Sequence, residues 1–138
     1  MHLFQDEIVI SNERKNKILA WSNAFFIIPI VIALLLGMIH YAILVSIILI
    51  LSVFYHTSEN SVFVVLDWAS ALFLITFNFI LFLLGRFNDI YAYIIIPFTL
   101  ITLFFNYREE KQGYVMNHAI WHILSAILTG LCILTFVF

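Results

Sequence analysis

The sequence predicts an all-α fold, a polytopic bundle of about five transmembrane helices, on three observations. First, 64% of the 138 residues are hydrophobic and 10% are charged, with a mean hydropathy of +1.11. A soluble domain is about half apolar and about a quarter charged. No soluble fold of this length hides so much apolar surface, so the bilayer is the solvent for most of the chain. Second, the apolar runs do not alternate with polar residues, as the strands of a membrane barrel would. Third, Gly and Pro are scarce, at 4 and 2 residues, which suits long helices. Residues 1–138 read as a single transmembrane domain with no soluble domain attached.

Each element follows from the chain in order. Residues 1–16 are mixed and mostly polar, and fit a cytoplasmic interfacial helix with Leu3, Phe4, Ile8 and Val9 at the headgroups, or a frayed end. They do not read as a cleavable signal, because the apolar run that follows is too long and has no small-residue cleavage site. The first span, residues 18–39, is long enough to cross about 30 Å of hydrocarbon. Trp21 sits at its interfacial end, and Pro29 is expected to kink it. A tight turn at Gly37 leads to the second span, residues 41–56, which ends on His56. The polar loop 57–61 follows, with Ser58 or Asn60 as the cap of the third span, residues 62–84. Asp67, Ser70, Leu74 and Asn78 share one face of that span, which must look inward, because a carboxylate facing lipid is costly. The fourth span, residues 90–105, holds Pro97 and no ionisable group. The fifth, residues 114–138, carries a seam of His118, His122, Ser125, Thr129 and Cys132. For Ser125 and Thr129, ordinary small-residue helix packing is the simpler reading.

Five crossings put the N-terminus and the loops 57–61 and 106–113 on one side. Arg14, Lys15, Lys17, Arg108 and Lys111 lie there, with Arg86 alone opposite, so the positive-inside rule makes that side cytoplasmic. His56, Asp67 and His118 then fall at similar depth near the cytoplasmic boundary. The net charge of -2 does not call for a nucleic-acid partner. The single cysteine, Cys132, leaves no internal disulfide and no cysteine-rich metal site, so a metal must be held by His, Asp or Glu.

The chemistry sits in five side chains. Ser52 and His56 are four residues apart, and so are His118 and His122, so each pair shares a helix face. Two histidines at this spacing can aim at one ion, as in helical zinc sites. His56 from another helix completes a set of three and leaves a fourth position for water, the pattern of a catalytic rather than a structural Zn2+ site. Zinc lowers the pKa of such a water to about 7. Asp67 is then placed as hydrogen-bond acceptor or general base, and Ser52 to orient a ligand or donate to an oxyanion. His2 and His40 read as interfacial or packing residues. Haem needs histidines on opposite faces of its ring, which a pair on one helix turn cannot supply. A non-enzymatic receptor or scaffold, in which a metal only ties helices together, stays open. A metal or proton transporter would need ionisable groups continuing across the membrane, and the other half of the spans offers only Asn78, Thr76 and hydroxyls.

The set Ser52-x-x-x-His56, Asp67, His118-x-x-x-His122 resembles the CREST superfamily of membrane hydrolases, which includes the alkaline ceramidases and the progestin and adipoQ receptors. The step from Phe54–His56 to Asp67 looks most like the ceramidase side. The resemblance implies that His56, His118 and His122 bind zinc, that Asp67 and Ser52 support the activated water, and that the substrate is a membrane lipid with an amide-linked or ester-linked acyl chain. Members of that family have seven helices. Five helices preserve the sidedness of every motif residue but remove pocket wall, which a homo-oligomer would restore.

Overall fold

The computed structural model describes residues 15–58, 60–85, 90–109, 111 and 113–138. The expectations for residues 1–14, including His2, and for Arg86 lie outside these. Among the described residues every regular element is a helix. They are α1 (Lys17–Ser22), a 3-10 turn (Asn23–Phe26), α2 (Ile27–Leu35), α3 (Ile39–Thr57), α4 (Val62–Leu84), α5 (Ile90–Glu109) and α6 (Tyr114–Val137).

Among the described residues, four stretches are long and apolar enough to cross a membrane: Lys17–Leu35, Ile39–Thr57, Val62–Leu84 and Tyr114–Val137. The apolar part of α5, Tyr93–Arg108, is shorter. At 1.5 Å per residue it covers about 24 Å of an apolar slab about 30 Å thick. The chain is thus an integral membrane protein in its build. Its outward faces carry large apolar side chains such as Leu35 and Trp68, whereas its interior holds Ser52, His56, Asp67, Asn78, His118, His122 and Thr129. That inversion is what a lipid solvent selects, since polar groups must find partners inside.

The first span is not one α-helix. Pro29 has no N–H to give the fourth residue before it, and its ring crowds that carbonyl. The chain responds just upstream with the 3-10 turn, where Ile27 N–H reaches the Ala24 carbonyl. The expected kink is therefore a change of helix type. Pro97, by contrast, lies within a continuous α5.

The turn after α2 is a Schellman motif. Met38 N–H bonds the Ala33 carbonyl at 2.8 Å and Gly37 N–H bonds the Leu34 carbonyl at 3.1 Å. Gly37 has φ +74°, a conformation that glycine adopts freely. Before α4, Asn60 Oδ1 accepts from Val62 N–H at 2.9 Å, so Asn60 is the capping residue.

The first span, α3, α4 and α6 form a ring in which each packs on its neighbours, and α5 lies outside against α6. Tyr41 on α3 donates to Asn78 Oδ1 on α4, and Asn78 Nδ2 donates to Thr129 Oγ1 on α6 at 3.0 Å. These buried bonds tie three helices together. Gly85, at the end of α4, meets α6 so closely that a Cβ there would stand 2.7 Å from the Thr135 carbonyl oxygen. Gly85→Ala must push two helices apart and is expected to destabilise the protein by about 1–3 kcal/mol, read as a lower melting temperature in detergent. An unchanged melting temperature would disprove that packing.

Candidate metal centre

The helix faces that bury polar groups converge at one end of the bundle. α3 carries Ser52 and His56 one turn apart near its C-terminus, and α4 presents Asp67 in its second turn. α6 presents His118 in its second turn and His122 in its third. All five side chains are buried.

The three histidines form one cluster. Their rings stand 4.4 Å (His118–His122), 5.0 Å (His56–His118) and 5.1 Å (His56–His122) apart between centroids. One donor nitrogen from each lies within 4.8 Å of the others. Three imidazoles from two helices thus bring donor atoms to one point, which is a ligand set suited to a divalent transition metal.

His122 reveals how its ring is held. Its Nδ1 lies 2.8 Å from Ser22 Oγ on α1, and the Ser22 hydroxyl donates to the Leu19 carbonyl, also at 2.8 Å. A hydroxyl has one proton, so Ser22 Oγ must accept from His122 Nδ1–H. The proton therefore sits on Nδ1 and the lone pair on Nε2, which is buried and takes part in no hydrogen bond. That is the tautomer a metal ligand needs, fixed by an outer partner as in many metal sites. Ser22→Ala is expected to weaken metal affinity about 10–100-fold, measured by chelator competition. Unchanged affinity would remove Ser22 from the site.

Asp67 lies beside the cluster and outside its set of three. Ser52 stands within reach of its carboxyl, and His118 is close enough to interact with it electrostatically. A hydroxyl in that place can donate to the carboxylate.

A cavity of about 340 Å³ opens from this corner. Ser52, Asp67, Trp121 and His122 line one end, and Phe82, Ile95 and Cys132 line the other. Along α4 alone the lining runs from Asp67 to Phe82, about 22 Å at 1.5 Å per residue. Between the ends the walls are almost wholly apolar. α4 and α5 both contribute to the cavity wall.

The structure thus brings together His56, His118 and His122, and sets Ser52 and Asp67 beside them in the cavity wall. His40 stands apart on an exposed first turn of α3. Thr129 is a packing residue, donating to the Ser125 carbonyl and accepting from Asn78. Ser22 and Asn23 were not anticipated. Their signal was present as two adjacent polar residues inside an apolar span, which the cost of polar groups in lipid sends inward.

Fold and site define an all-α membrane protein with a buried three-histidine cluster able to hold a metal ion. No family model, curated protein or solved structure matches the chain.

Proposed function

We propose that this chain is a zinc-dependent membrane hydrolase that cleaves the amide-linked or ester-linked acyl chain of a membrane lipid. One observation carries the reading: His122 of a three-histidine cluster lines a long apolar cavity together with Asp67 and Ser52. The order of the five residues, resembling the CREST superfamily and its ceramidases, supports it. We read the chain as a reduced member with about five helices.

His56, His118 and His122 would hold the metal, and the donor set fits zinc with a position left for water. Zinc, when bound, supplies a water acidic enough to act as a nucleophile near pH 7. Asp67 would act as the base, taking the proton that an attacking water gives up when its oxygen bonds to the acyl carbon. It then delivers the proton to the departing nitrogen or oxygen as the acyl bond breaks. The products are a fatty acid and an amine or alcohol. Ser52 keeps the carboxylate aimed, and the apolar walls take the acyl chain and exclude bulk water. A metal that only ties helices together would be expected to recruit Asp67 as a fourth ligand, but Asp67 lies outside the cluster. The charge balance of the loops supports a cytoplasmic site and N-terminus.

The test is fatty-acid release from ceramide and from phospholipid by zinc-loaded protein in lipid nanodiscs. Release that stops on chelation and returns with zinc is expected. Zinc-loaded protein that releases nothing from either lipid class would contradict the reading.

A further inference from the structure

Asn23 has a buried side chain whose acceptor is unused. The residue is 0% exposed and lines the cavity together with Ser52, Asp67 and His122. Its Nδ2 donates to the Leu19 carbonyl at 3.1 Å. A carbonyl only accepts, so this bond fixes the amide with its NH2 toward Leu19. Oδ1 is then directed elsewhere, and it is buried without a hydrogen-bond partner. Buried polar atoms in folded proteins nearly always have one.

A purely architectural role does not account for the residue. The Leu19 carbonyl already receives the Ser22 hydroxyl at 2.8 Å, so the Asn23 bond is redundant for that carbonyl. An apolar side chain of the same size would fill the space without stranding an acceptor.

We infer that Asn23 is a specificity-determining residue, its Oδ1 accepting a hydrogen bond from an N–H on the acyl link of the lipid that fills the cavity. The inference deepens the hydrolase reading by naming the linkage, and rests on it only in treating that lipid as the substrate. A secondary amide places an N–H one bond from the acyl carbon. An ester places an oxygen there, which can only accept and would face Oδ1 lone pair to lone pair. A site built to bond a ligand N–H rejects analogues that lack it.

The experiment uses three probes of matched chains: N-butyldodecanamide, its N-methyl derivative, and butyl dodecanoate. Binding to zinc-loaded protein in nanodiscs is measured with radiolabelled probes against empty nanodiscs, and dodecanoic acid release is followed in parallel. Wild type is expected to bind the secondary amide about tenfold or more tightly than the other two. Asn23→Leu should level the three affinities while zinc content is retained. Asn23→Ser, too short to reach the ligand, serves if the leucine variant does not fold. Equal binding of all three probes by wild type, or an unchanged preference in the variants, would overturn the inference. Acid release bears on the hydrolase reading separately. No release from any probe would count against that reading and leave the binding order to decide the role of Asn23. Release without a binding order would count against Asn23 alone.

Discussion

Alanine at both His118 and His122 is expected to reduce the bound metal from about one ion per chain to none and to bring lipid hydrolysis down to background. The two residues supply two of the three converging donors, and the third, His56, comes from a different helix. A single imidazole does not hold a divalent ion against water and buffer. The double variant should still fold, because the removed rings leave a site at one end of the bundle, while the bonds among Tyr41, Asn78 and Thr129 remain. Elemental analysis of detergent-purified wild type and variant, beside their helical circular dichroism, checks both statements. A variant that keeps its metal would place the ligands elsewhere in the chain.

Asp67→Asn separates binding from chemistry. The amide keeps the size of the carboxyl and can still accept from Ser52, so packing should be preserved. It cannot take a proton from the attacking water. General acid–base groups contribute about 10²–10⁴-fold, and a fall of that order in turnover is expected with near-normal zinc content. Turnover and metal content measured on the same preparation decide the point. Full turnover in Asp67→Asn would remove it as the base, and loss of zinc would make it a ligand.

Much of the site was legible in the sequence because lipid makes polar groups expensive. Asp67, Ser70 and Asn78 could face nowhere but inward, and all three are buried. The two pairs at four-residue spacing could share no arrangement but one helix face each, and with Asp67 they meet at one end of the bundle. Ser22 and Asn23 obeyed the same rule, yet they stand at the junction where α1 ends and the 3-10 turn before Pro29 begins, a change of helix type that apolar periodicity does not mark. A pocket was expected from the sequence, but its dimensions were not legible. Its walls come from the 3-10 turn, α3, α4, α5 and α6, and they depend on where α5 docks on α6, a long-range contact that no short motif encodes. The shorter apolar stretch of α5 likewise depends on where Tyr93 begins it, three residues into the helix.

Zinc-edge X-ray absorption on the protein purified without chelators decides whether His56, His118 and His122 form an open zinc centre. Three imidazole nitrogens at about 2.0–2.1 Å and one further light-atom ligand are expected, with imidazole scattering reduced in His122→Ala. A metal-free wild type, or zinc bound by a sulfur, would contradict such a centre.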